Sequence, residues 1–507
     1  MSKNNIYSKF ENDRAFQLWI DAANQGDAEA EYVIGMLFYR TGEQEDGKEA
    51  LNWFLKSARQ GYAEAQYMLG LIFTNGFHVH RNMKKAVKWL HAAAKQGHKY
   101  AQFELGFLYA CGNLIRQNLS EAVKWYRKAA KRGHKEAQFI LGIWYMAGKC
   151  VKQDYAEAVK LFRKAADQGF APAQLMLSDC YLNGKGVERN LAESMEWLRK
   201  AADQGLAHAQ FVLGCCYMNG EGVEKNPAEA VNWFRKAADQ GDAEAQCKLG
   251  YCYMDGDGVE RDPVEAFNWW SKAAEQDDDV AQYNLGACYG NGEGVEKNPA
   301  EAVKWYRMAA EKGHALAQHQ LGCCYMNGDG VEKDPAKATE WLRKAADQGV
   351  ANAQYTLGEC YMNGEGVEKD LAEALKLIRK AADQGFGEAQ DSLGEFYYFG
   401  KGVEKDEAEA VKWWRKAAMQ GVIASQYNLG VCYCRGIAVK QNFEKAAYWY
   451  RKAANQGFAP AQYRLGTLYL NGKGVRKDIA KAVEWFRKAA DQGHEEAMNA
   501  LKKLGEE

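Results

Sequence analysis

Thirteen cysteines, nine histidines and a recurrent G-x-G are the features of this 507-residue chain whose types and spacing could do chemistry. Glycines that open a helix are one way to cradle a phosphate. Here the pairs stand at Gly184/Gly186, Gly220/Gly222, Gly256/Gly258, Gly292/Gly294, Gly328/Gly330, Gly364/Gly366, Gly400/Gly402 and Gly472/Gly474. A phosphate loop follows a strand, whereas each of these pairs follows a helical pattern. Eight nucleotide sites in one chain is untenable, so the glycines are read as turns that need positive φ. Seven cysteines share one repeated position: Cys180, Cys216, Cys252, Cys288, Cys324, Cys360 and Cys432. Helices that stack lie about 8–10 Å apart, too far for a disulfide, which needs Cα atoms about 4.4–6.8 Å apart. The ladder is therefore expected to be reduced and to serve as small apolar filling. Cys111 and Cys150 lie near adjacent turns and are the one pair worth testing for a bridge; free thiols are the expectation. His78 and His80 flank a single residue in a turn without acidic neighbours, which reads as a solvated loop and not a metal site. There is no C-x-x-C, G-x-S-x-G, H-E-x-x-H or Walker sequence. Pairs such as Glu301 and Lys304 read as solvated helix faces. The chain is expected to have no catalytic residue, cofactor or metal.

The elements that carry these residues repeat. The glycine of a Leu-Gly pair recurs at Gly70, Gly106 and Gly142, is Ser178 once, and continues from Gly214 to Gly466, 36 residues apart each time; Gly35 adds a copy one residue shorter. A fixed period of this length means a stacked array. Each unit holds two helices, AEAQxxLGxCYMxG and PAEAVxWxRKAAxQG, the second opened by an Asn or Asp N-cap with proline behind it, as at Asn226-Pro227 and Asp262-Pro263. Gly241, Gly349 and Gly385 stand where a helix ends. Tryptophan holds one place in the second helix, from Trp19 to Trp485, with Leu161 and Leu377 as replacements. Its period assigns it to packing between helices. Each unit alone leaves an apolar face bare, so the ends must differ. The chain opens on a lone second helix, Asn12 to Gln25, and closes on a lone first helix from Glu495 to Lys503. The expected organisation is an N-terminal segment and capping helix at 1–27, repeats over 28–493 and a C-terminal cap at 494–507.

The net charge is -1 and the pI about 6.8, which leaves no basic excess for a nucleic-acid partner. The start, MSKNNIYSKFENDRAF, has no apolar signal region, and no run of 18 apolar residues suits a bilayer span. A monomer in the cytoplasm is the expectation.

Ala63-Glu-Ala-Gln-Tyr-Met-Leu-Gly70 and Ala86-Val-Lys-Trp89 carry a pattern that resembles the Sel1-like repeat family, relatives of the tetratricopeptide repeat. The likeness spans about residues 28–493. It departs at Ser178, at the missing second glycine of His78, Leu114, Cys150 and Ala438, and at the turn near Gly42. The resemblance implies an all-α, right-handed α/α superhelical solenoid of about 13 helix-pair repeats with a half-repeat helix at each end. It also implies a non-enzymatic scaffold or adaptor for a protein partner. An immunity or antidote protein that holds a toxin or secreted effector, a host-directed or signalling adaptor, and an enzyme regulator are alternatives that follow from family precedent. Some secreted members carry a cysteine in each helix of a unit; the second helices here carry none, which suits a reducing compartment.

Repeated residues do the folding, so residues that vary between units are free for recognition. Counted from the Leu-Gly glycine, positions -6, -2 and +1 vary and share one arc of the first helix. The family likeness places that arc on the concave wall. Its early members are Val33, Met36, Met68, Leu71, Glu104, Phe107, Ile140, Ile143 and Met176; later ones, such as Asn284, Thr356, Ser392 and Glu395, are polar or acidic. The expectation is an apolar groove in the first third that takes a hydrophobic helix of a protein partner.

Overall fold

The computed structural model describes residues 14–41, 44–112 and 115–506. They form 28 helices and no strand. The chain divides into two compact units, one ending at Cys252 and including 256–260, the other made of 253–255 and Arg261 onward. From Arg14–Asn24 to Pro227–Ala238 in one, and from Pro263–Glu275 to Glu495–Leu504 in the other, each helix packs on the next, as a solenoid of helix pairs requires.

The local causes repeat with the sequence. In the second unit, Asn298 caps the helix Pro299–Glu311 by accepting from the Glu301 N–H at 3.2 Å, with Glu301 in its first turn. His314 Nδ1 then accepts from the Ala317 N–H at 3.1 Å to open the helix Ala315–Asn327. That helix stops on Gly328, at φ 84°. The second glycine of most pairs has an added reason. A Cβ on Gly294 would stand 2.0 Å from the Pro263 carbonyl oxygen, and one on Gly366 equally close to that of Pro335. Each turn therefore rests on the start of the preceding unit's second helix. His78, Cys150 and Ala438 hold the same left-handed conformation without being glycine, at φ 55°, 66° and 52°. Leu114 and Gly42 lie outside the described residues, as do the first two residues of the expected Asn12–Gln25 helix, which is seen as Arg14–Asn24.

The Leu-Gly glycine faces the residue that follows the tryptophan. A Cβ on Gly106 would meet the Tyr126 ring at 2.6 Å, and Gly142, Gly286 and Gly430 face Phe162, Tyr306 and Tyr450 in the same way. These large side chains are almost fully buried at every layer. Tryptophan is second in depth: Trp125 packs on Leu90 of the preceding repeat and on Leu105 and Leu108 of its own, and its ring takes Lys128 at 4.2 Å. In the first described helix, Trp19 is 39% exposed. Where Ser178 replaces glycine, Ser194 replaces alanine opposite it and the two hydroxyls hydrogen-bond at 2.9 Å.

A ladder of glutamine amides runs through the layers. Gln138 donates to the Ala130 carbonyl of the preceding repeat at 3.0 Å, and Gln168 of its own repeat donates to Gln138 Oε1 at 2.8 Å. Gln210 with Gln240, Gln318 with Gln348 and Gln390 with Gln420 repeat it. Each such bond contributes on the order of 1 kcal/mol, and the accepting glutamine is buried, so leaving it without a donor costs more. The helix Glu495–Leu504 buries Ala497 and Leu501 and exposes its charged residues.

Candidate interaction surface

All thirteen cysteines are free thiols. Burial pushes Cys180, Cys216, Cys324, Cys360 and Cys432 up to about 11, so the ladder consists of unreactive thiols. Cys323 and His319 form a thiol–imidazole pair, at 3.5 Å on one helix face. Burial raises the thiol and lowers the imidazole. Both partners are therefore neutral near pH 7, the opposite of an activated nucleophile. Among the described residues no three His, Cys, Asp or Glu side chains cluster as metal ligands, and no helix is long and apolar enough to cross a membrane.

In the first unit, Ala63–Asn75 and Lys99–Cys111 touch one another directly as well as through the second helix between them. Val33, Met36, Leu71, Glu104, Ile140, Ile143 and Met176 are half-buried, and Phe107 is 47% exposed. Met36 and Leu71 lean on the core of the first layers, Ile140 on that around Tyr126, and Ile143 and Met176 on that around Phe162. Two members of the expected arc do not line open surface. Met68 is drawn into the core beside Phe73, because its long flexible chain fills the space there, and Asn284 is buried. Glu104 stands alone among these apolar side chains, and burial raises its carboxyl above the ordinary range.

A row of stacked rings borders this face, one ring three residues before the Leu-Gly glycine and one at the N-cap of the next first helix. Tyr67 lies 4.6 Å from His98, Phe103 stacks on His134 at 4.4 Å and 11°, and Phe139 meets Phe170 at 5.4 Å. Burial lowers both His98 and His134. In the second unit the row continues with Tyr283 on His314, Tyr355 on Phe386 and Tyr427 on Phe458. It is interrupted wherever one of the two positions is not aromatic, and one such place is Asp391, opposite Val422.

Where that ring is missing, a cleft of about 550 Å³ opens, lined by Tyr355, Glu388, Asp391, Ser392, Gln420 and Val422 among others. Asp391 accepts from the Ser425 hydroxyl, and burial, with Glu395 and Glu388 adding to it, pushes its carboxyl up to about 6. Tyr355 donates to Glu359 at 3.0 Å. A smaller cleft of about 210 Å³ beside it is lined by Glu395, Tyr398, Phe399, Tyr427 and Arg435 among others. Neither the ring row nor the cleft is among the sequence-derived candidates. The available signal was one acid in a column that is otherwise mostly aromatic or apolar.

Thirteen copies of the Sel1 repeat match the chain, from 28–62 to 459–494. Its structure is similar to that of a protective antigen present in uropathogenic Escherichia coli strains, which displays an SLR fold. The two share 39% identity over 82% of this chain and 90% of the other, with a TM-score of 0.73. A Sel1 repeat protein from Oxalobacter formigenes is 38% identical over 61% of this chain and 90% of its own, at a TM-score of 0.48. An immunity protein from Pseudomonas aeruginosa is 26% identical over 42% of this chain and 81% of its own, at 0.29. No curated protein matches. Repeat by repeat, with helix pairs in place of any catalytic family, the chain belongs to the Sel1 repeat family, whose solenoid is a protein-interaction fold and generally a non-enzymatic scaffold.

Proposed function

We propose that this chain is a scaffold that holds a hydrophobic polypeptide segment, a helix, against the first helices of its first unit. Val33, Met36, Leu71, Phe107, Ile140, Ile143 and Met176 supply the contact, with Met68 behind them. The observation that carries the reading is the run of partly exposed apolar side chains on consecutive first helices, with Phe107 at 47% exposure. Apolar patches of this kind mark contacts. Free thiols throughout suit a cytoplasmic address. The Escherichia coli relative, described as a protective antigen, favours a second reading in which the chain acts where it meets a host.

The test places a photo-crosslinking amino acid at Phe107, at Ile143 and, as control, at Tyr448, which is 50% exposed on a second helix. One polypeptide joined at Phe107 and Ile143 and not at Tyr448 is the expected result. Equal labelling at all three sites, or a partner joined only through Tyr448, defeats the proposal.

A further inference from the structure

Glu104 is out of character with its surroundings. It projects from Lys99–Cys111 on the same arc as Phe107, and the matching positions on the flanking first helices are Met68, Leu71, Ile140 and Ile143. Burial is the one cause that moves its carboxyl from the ordinary range; no ammonium or guanidinium offsets it. Lys99, on the same helix, lies over the Tyr100 ring at 5.2 Å instead. Covering the face with a wholly apolar helix would bury this carboxylate without a partner, which is costly. Phe107, one turn further along the helix, offers an exposed ring face to a cation or to the methylene stem of a long basic side chain.

We infer that the helix seated on this face presents a lysine or arginine within its apolar stripe, with the charged group on Glu104 and the stem along Phe107. The inference rests on the docking reading above and adds the partner's chemistry to it. The occupant is therefore an amphipathic helix whose apolar side is interrupted by one basic residue at a fixed register. Register is set by the charge and contact area by the aliphatic neighbours, a division of labour common in helix recognition.

A phage-displayed library of 18-residue helices, with one face randomised, tests this on the full chain. Clones selected on the wild-type protein are re-tested on Ile143→Asp and on Glu104→Gln, both first checked for wild-type helicity and unfolding behaviour. The expected clones lose binding on Ile143→Asp and share a lysine or arginine at one apolar-face position. They weaken about tenfold or more on Glu104→Gln. A parallel selection on Glu104→Gln is expected to yield clones without the basic residue. Groove-dependent clones with no basic preference, or a preference that persists on Glu104→Gln, overturn the inference and leave the docking reading standing. If every clone binds Ile143→Asp as well as wild type, the docking reading itself is overturned, and the inference goes with it.

Discussion

The first unit's face around Ile143 and the second unit's cleft around Asp391 are built on copies of the same kind of helix pair. In both, a glycine receives a large side chain, Tyr126 on Gly106 and Trp414 on Gly394, and a glutamine ladder runs behind. The surfaces nevertheless differ in kind. One carboxylate sits among aliphatic side chains in the first, whereas Glu388, Asp391 and Glu395 collect around open clefts in the second. The comparison teaches that periodic positions consume the packing, and that three or four positions per first helix decide what the surface can recognise.

Breaking the shared scaffold under each surface has the largest expected effect. Gly106→Val and Gly394→Val place a branched side chain where the facing rings already stand, at 2.6 and 2.5 Å from a Cβ. Overpacking of this kind costs about 2–3 kcal/mol. Urea unfolding with hydrogen exchange should show the loss confined to the altered layer and its neighbours, since layers in an array contact only the adjacent ones. Valine variants as stable as wild type would show that the rings move aside, and that the glycine has another cause.

The missing ring sharpens the contrast. Asp391→Tyr should fill the cleft and raise stability by about 1–2 kcal/mol, and Asp391→Asn should keep the shape without the charge. The sign of the pH effect follows from a carboxyl pushed up to about 6 in the folded chain from an ordinary 3.8. The folded state holds the proton more tightly than the unfolded state. Its favourable contribution is thus present at low pH and lost as pH rises from about 4 through 6. Urea midpoints of wild type should fall across that interval relative to Asp391→Asn. Parallel pH profiles would show that Asp391 is solvated in the folded protein.

The fold was almost wholly legible, because its causes recur every 36 residues. N-caps such as Asn298 and turn glycines such as Gly328 follow from composition and spacing. Tryptophan drew the eye as the main packing residue, yet Tyr126 and Phe162 lie deeper. Their column keeps size and not identity, so no repeated letter marks it. Glutamine was legible as a repeated residue but not as a ladder, since the bond joins residues 30 apart. The surface was harder. A helical wheel places Met68 and Asn284 on the open arc, and it has no means of showing that one bends into the core and the other is covered by its neighbours. Asp391 is a departure within one column, and whether it leaves a cleft depends on Val422, 31 positions away.

The ladder itself has one break in each region, and repairing them gives the smallest expected effect. Arg132 stands where glutamine recurs, so buried Gln102 Oε1, two residues before Glu104, has no donor. Arg132→Gln should supply one and raise stability by about 0.5–1 kcal/mol, while Gln168→Arg, which makes the same break in an intact rung, should lower it by a similar amount. In the second unit Lys312 takes the glutamine's place and Gln282 Oε1 is left without a donor. There the break is compensated. Lys312 pairs with the carboxylate of Asp277, which stands at φ 71° where other layers have glycine, and also donates to the Asp277 carbonyl at 2.6 Å. Lys312→Gln alone should therefore change stability little. Paired with Asp277→Gly it should gain about 1 kcal/mol or more, because the new amide bond and the relieved left-handed backbone act together. A double-mutant cycle by urea unfolding measures the coupling directly. Strict additivity of the two changes would show that the lysine and aspartate arose independently, and that the second unit's break is as uncompensated as the first.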